Sequence, residues 1–112
     1  MKKPTHIKEE EAYLEREAYV RQTLQRIARI SRKIDDLANR CEAGTTPAIV
    51  KLKARIPDLR QKQQAATWRA NEVESARLDH WTELKAGADM AMIILTESYE
   101  KLLSLANCLG VP

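Results

Sequence analysis

The chain has 112 residues, a length that predicts one domain spanning 1–112; 44% apolar content supports a core, and 31% charged content suits an elongated helical bundle. A net charge of only +3 points to no partner by its sign, and two cysteines without a Cys-x-x-Cys pair exclude a zinc framework. The most apolar run, MAMIIL at 90–95, falls far short of the ~20 residues of a membrane span, and MKKPTHIKEEEAYLE at the start has no apolar core for a signal peptide, so a soluble cytoplasmic protein with reduced thiols is expected.

Helix formers dominate the chain, Phe is absent, and no Gly or Pro lies between Pro4 and Gly44 or between Pro57 and Gly87. Two such windows predict long helices and an all-α fold. Helix 1 is expected over about 5–42. Its apolar positions, Tyr13, Val20, Leu24, Ile27, Ile30, Ile34, Leu37, Ala38 and Cys41, fall in one stripe of a 3.6-residue helix. The turn is expected at 43–46. Gly44 is read as a positive-φ cap, Thr46 as the N-cap of the next helix and Pro47 as its first-turn residue.

Helix 2 is expected over about 47–86. The stripe Ala48, Leu52, Ile56, Leu59, Ala66, Ala70, Val73, Trp81, Leu84 stays in phase across Pro57. That continuity predicts a kinked helix, and a break into two helices is the alternative, because proline removes a donor and disfavours the α region at Ile56. Gly87 is read as the end of helix 2 and Asp89 as a cap, with an uninterrupted helix through Gly87 as the alternative at a cost of about 1 kcal/mol, and helix 3 as about 89–108, closed by Gly110 and Pro112. Helix 3 is apolar on more than one side (Met90, Met92, Ile93, Ile94, Leu95, Tyr99, Leu102, Leu103, Leu105, Leu109), which predicts cover on two sides. The architecture is thus a long antiparallel helical hairpin plus a shorter third helix. A third helix of half the hairpin's length leaves a hairpin face open, which predicts a homodimer, with a slender monomeric three-helix bundle as the alternative.

The sequence of long helix, turn, long helix carrying Ile56-Pro57-Asp58, and short third helix resembles the plan of tubulin-binding cofactor A, a tubulin-folding chaperone. The matching stretch, RIPDLRQKQQAA at 55–66, covers about a tenth of the chain. Helix 1 here lacks that family's basic opening segment, and the spacing from turn to proline is shorter. The resemblance implies a chaperone role.

Two surfaces stand out. Helix 1 carries Arg21, Arg26, Arg29, Arg32, Lys33 and Arg40 opposite its apolar stripe, with no acid between residues 18 and 34. Folding at residue 45 brings them beside Lys51, Lys53, Arg55, Arg60 and Lys62, while Glu9, Glu10, Glu11, Glu15 and Glu17 meet Glu72, Glu74, Asp79 and Glu83 at the other end. The basic face is read as a solvated face, as a surface that meets the acidic end of a second copy, or as a nucleic-acid site. On helix 2, Trp68 points about 180° from the apolar stripe, among Gln61, Gln64, Ala65 and Asn71. Either helix 3 covers it through Leu102, Leu103, Leu105 and Ala106, or Trp68, with Gln64, Asn71, Leu102 and Leu105, anchors a partner.

No motif for chemistry is present. His6 and His80, with Glu10 and Glu83, form at most a loose set for a metal, and two surface histidines are the alternative. Cys41 sits on the apolar stripe as a buried thiol. The sequence therefore predicts no enzyme, no cofactor and no metal. It predicts a protein-binding module (adaptor, chaperone or inhibitor) whose partners are itself and another protein, with nucleic acid as the alternative and no membrane.

Overall fold

The computed structural model describes the backbone of residues 5–111 and the side chains of residues 8–111. Pro4, Pro112 and the side chain of His6 lie outside them. Four helices follow in order: α1 Thr5–Cys41, α2 Pro47–Lys53, α3 Ile56–Ser75 and α4 Trp81–Cys108. The protein is an elongated all-α bundle with principal extents of 72 × 18 × 18 Å. α2 and α3 return along α1, and α4 then runs beside both, parallel to α1. Among the described residues no helix is long and apolar enough to cross a membrane.

The first turn forms where its residues predict. Thr46 has φ −66° and ψ 149°, its Oγ1 accepts from the Ile49 N–H at 3.3 Å, and Pro47 occupies the first turn of α2. Gly44 acts differently from the expectation. Its φ is not positive; glycine is needed because a Cβ there would collide with Cγ2 of Ile49. The loop is held by Lys53, whose Nζ donates to the carbonyls of Glu42 at 3.0 Å and Gly44 at 3.2 Å.

At Pro57 the alternative of two helices holds. Pro57 sits in the first turn of α3, where a missing N–H leaves nothing unsatisfied. The chain bridges α2 and α3 through Ala54, which remains αR, and through one tight bond from the Arg55 N–H to the Leu52 carbonyl at 3.0 Å. The regular pattern resumes where the Leu59 N–H donates to the Arg55 carbonyl at 3.2 Å, and the stripe stays in phase: Leu52 and Leu59 are buried and Ile56 packs against the same core.

The second reversal lies at 76–80, not at Gly87. α3 ends where Ala76 turns extended at φ −72° and ψ 152°. A turn follows in which the Arg77 carbonyl accepts from the N–H groups of His80 at 2.9 Å and Trp81 at 3.0 Å. Trp81 and Leu84 therefore belong to α4. Asp89 is not a cap but a mid-helix residue, and Gly87 lies inside α4. α4 has 28 residues against 37 in α1. The third helix is thus long, and the half-covered hairpin face on which the dimer expectation rested is occupied by α4. What stays uncovered on α1 is its first turns: Tyr13 and Leu14 are exposed.

The core runs the length of the bundle. Ile27, Ile34, Leu37 and Cys41 of α1 meet Leu52 and Leu59, then Met92, Leu95 and Leu102 of α4. Ala66 and Ala70, both with zero exposure, form the middle of α3's contact face and let the larger side chains of the other two helices close over it. A smaller cluster of Val20, Val73, Trp81 and Ala88 fills the end near the second reversal.

The far end is closed by a Schellman cap. Gly110 adopts φ +69°, the Val111 N–H donates to the Ala106 carbonyl at 3.0 Å and the Gly110 N–H to the Asn107 carbonyl at 3.2 Å. Val111 and Ala106 are both buried, and Arg40 of α1 donates to the Val111 carbonyl at 3.3 Å.

Gly87 has no conformational requirement. An added Cβ would meet only Cδ of Arg69, at 3.9 Å. Glycine inside a helix costs about 1 kcal/mol relative to alanine, so Gly87→Ala should raise stability by about 0.5–1 kcal/mol, read as a higher midpoint in urea denaturation. A helix boundary at Gly87 would instead make the substitution neutral or destabilising.

Candidate partner-binding surfaces

α3 places Trp68 away from the core because Leu59, Ala66, Ala70 and Val73 fix the opposite side inward. Trp68 is 60% exposed. Gln64 and Asn71, one turn to either side, are exposed as well. The ring is not bare on both faces: the Arg69 guanidinium lies over it, 5.2 Å from the centroid, and is fixed by Glu72 at 3.0 Å. Since Arg69 also approaches Gly87, Trp68 stands level with the stretch of α4 that begins there.

This register corrects the expected cover. α4 begins at 81, so residue 68 comes level with about 88, not 106. Leu102, at 4% exposure, is core and no part of a partner surface, and Leu103 and Ala106 also pack inward. Leu105 is exposed, but it lies about 26 Å from the level of Trp68, at 1.5 Å per residue. Trp68, Gln64 and Asn71 are therefore brought together, and Leu102 and Leu105 are not brought to them.

The side chains that do share this end of the outward surface are Met90, Ile93 and Ile94, at 56%, 50% and 45% exposure. They are apolar on the side of α4 opposite Ala88, Met92 and Leu95, which are buried. The sequence carries the signal, an apolar run wider than one stripe: α1 and α3 cover two adjoining sides of α4, as expected, and the third side, which carries these three side chains, stays open.

The basic surface is narrower than its composition suggests. Arg60 pairs with Asp35 at 2.6 Å across the α1–α3 contact, and Lys62 with Asp58 at 2.9 Å. Arg40 contacts Asp36 at 3.8 Å and the Val111 carbonyl, and Lys53 is occupied by the turn. Arg21, Arg26, Arg29, Arg32 and Lys33 form an exposed ridge along α1, and Lys51 and Arg55 are exposed further on. None of these seven makes an ion pair among the described residues.

A polar and aromatic contact joins α1 to α4 between the two surfaces. The Tyr19 hydroxyl donates to Asp89 Oδ1 at 2.6 Å, Lys85 Nζ lies 5.3 Å from the Tyr19 ring centroid, and the Trp81 ring packs at 6.1 Å. Thr23, a buried hydroxyl, donates to the Tyr19 carbonyl at 2.8 Å. Arg16, which the sequence did not single out, lies close by on α1. It donates to the Ala76 carbonyl, approaches Glu17 at 3.7 Å and covers the Tyr13 ring at 5.3 Å.

His80 is exposed, with Nδ1 3.6 Å from Glu83 and Nε2 3.9 Å from Asp79. Among the described residues no three His, Cys, Asp or Glu side chains are grouped to hold a metal ion. Cys41 is buried and Cys108 exposed, and neither is in a disulfide. Burial pushes the Cys41 thiol up, against smaller opposing effects of Arg40 and Lys53.

No family model, no curated protein and no solved structure matches the chain.

Burial, reinforced by the Asp89 hydrogen bond, pushes the Tyr19 phenol up to about 12 from 10.0. The folded state thus favours the neutral phenol. The stability this supplies is complete below pH 10 and is lost as pH rises from 10 through 12. Titration of phenolate absorbance should show a late step near pH 12. The late absorbance should lose one phenol in Tyr19→Phe, leaving that of Tyr99, which burial also pushes up, and the variant's melting temperature should fall less steeply over the same interval. Late absorbance of unchanged amplitude in Tyr19→Phe would place the shift elsewhere.

Proposed function

We propose that the chain is a non-enzymatic protein-binding module, a small adaptor, chaperone or inhibitor of the cytoplasm, that acts through its outward helix faces and associates with itself. The observation that supports this reading is the exposure of Trp68 at the level of Met90, Ile93 and Ile94, on adjacent helices whose opposite sides are fully used by the core. Scattered exposed apolar residues are ordinary, but an exposed tryptophan on one helix and three large exposed aliphatic side chains starting near its level on the next are the composition of a binding hot spot. The Arg69 cation over the ring pre-orders it, so little rotamer freedom is left to lose on association. The chaperone role implied by the Arg55–Ala66 resemblance rests on that stretch alone.

Trp68→Ala tests this. Because the side chain lies outside the core, stability should change by less than about 0.5 kcal/mol. Association, read as solution mass by light scattering over a concentration series, should weaken by about thirtyfold, the equivalent of ~2 kcal/mol at a hot spot. A lowered melting temperature with unchanged association would assign Trp68 to the fold and remove the reading.

A second reading has its own observation. The α1 ridge of Arg21, Arg26, Arg29, Arg32 and Lys33 spans about 18 Å of helix with no acid of its own to neutralise it. This supports contact with a nucleic-acid backbone. Binding to duplex DNA should then appear at low salt and fall steeply toward moderate salt. Arg29→Glu with Lys33→Glu should abolish it without altering helicity. Absence of binding at low salt would leave the ridge as a solvated face.

A further inference from the structure

The outward side of α4 does not end at Ile94. The same side continues through Glu97, Lys101, Ser104 and Cys108, all exposed, with Ile93 and Leu105 flanking it. Its far half opens into a shallow groove of about 540 Å³ beside Arg55 and Glu100. Glu97 and Lys101 stand four residues apart, in the order that favours a helical ion pair. They nevertheless form none, with each other or with any described residue.

The order of these side chains decides what fits. In a parallel pair of such helices Glu97 faces Glu97 and Lys101 faces Lys101, and both contacts repel. In an antiparallel pair crossing at the level of residue 99, Glu97 comes level with Lys101 of the second copy, and the reverse contact repeats it. The same crossing brings Met90 level with Cys108, Ile94 with Ser104 and Ile93 with Leu105. Glu97 and Lys101 then each meet an opposite charge, the exposed aliphatic side chains come level with uncharged ones, and Glu100, at the edge of the groove, comes level with Ser98.

We infer that this face of α4 is an isologous interface for a second copy of the chain, paired antiparallel about residue 99, with Glu97 and Lys101 setting the register. The inference rests on the self-association part of the reading above and adds its geometry. A two-fold contact uses each interaction twice, so one well-placed charge pair counts double. The stripe is about 27 Å long on a helix roughly 10 Å across. It buries well under the ~800 Å² per partner of a standard interface, so the dimer is weak and concentration-dependent.

The test combines mass with a covalent ruler. Light scattering up to about 100 μM chain should show the mass rising from 12.8 kDa toward twice that value. Met90→Cys, at an exposed position, places a new thiol level with the native Cys108 of the second copy. Under mild oxidation it should give a reducible dimer, because the two Cα atoms fall in disulfide range. The native chain should give none, since its two Cys108 residues are then about 27 Å apart along the axis. Lys101→Glu should weaken association about tenfold and the swap Glu97→Lys/Lys101→Glu should restore it. A mass of 12.8 kDa throughout overturns the inference and leaves Trp68 to a different partner. A dimeric mass with no Met90→Cys cross-link and no response to the charge changes overturns the α4 register while the homodimer stands.

Discussion

The reversal of the chain at Ala76 governs the rest of the molecule. Ending α3 there, rather than eleven residues later, gives α4 its 28 residues and sets its register against both other helices. That register puts Trp81 into the core, Gly87 against Arg69, Asp89 under the Tyr19 hydroxyl and Val111 beside Arg40. The reversal contains no glycine or proline. It is held from outside, by the Arg16 guanidinium on the Ala76 carbonyl and by the Arg77 carbonyl, which takes the first two N–H groups of the next turn. A half-buried carbonyl left without a partner would be costly, so a side chain sixty residues away supports a local decision of the backbone.

The surfaces follow from the same choice. A short third helix would have left the hairpin open and covered Trp68; the long one closes the hairpin and leaves Trp68 and one side of α4 outside. The apolar surplus of the sequence was therefore read correctly as a surplus, but it lies on another face. The charges show a similar redistribution. Four of the eleven basic residues near the turn hold structure together: Arg60 and Lys62 through carboxylates, Lys53 through loop carbonyls, and Arg40 at the end of α4. Only the ridge on α1 keeps a continuous positive face.

How far the sequence reveals the fold depends on how local each cause is. The GTTP turn was legible because Thr46 and Pro47 act within four residues of themselves. The outward direction of Trp68 was legible because helical periodicity is local too. The role of Gly44 was misread because the atom that excludes a side chain, Ile49 Cγ2, arrives only after the turn has formed. The second reversal was illegible because its holder, Arg16, is remote in sequence, while Gly87 offered a local stop signal that nothing uses. The cover over Trp68 depended on the register that this reversal sets, so the error there followed from the first.

Three passes of the chain along one axis have a geometric result that two or four would not. The backbone enters the bundle at Thr5 and leaves it at Val111, beside Arg40 near the other end of α1. Two points joined by the intervening 35 residues of helix stand about 50 Å apart. The exit is clamped by the Gly110 cap and not free to swing. Thr5 and Val111 are thereby held at a fixed separation, and a pull applied between these two residues runs along the helices. Such a load must slide the three helices past one another over the whole alanine-lined seam, instead of peeling them apart one turn at a time.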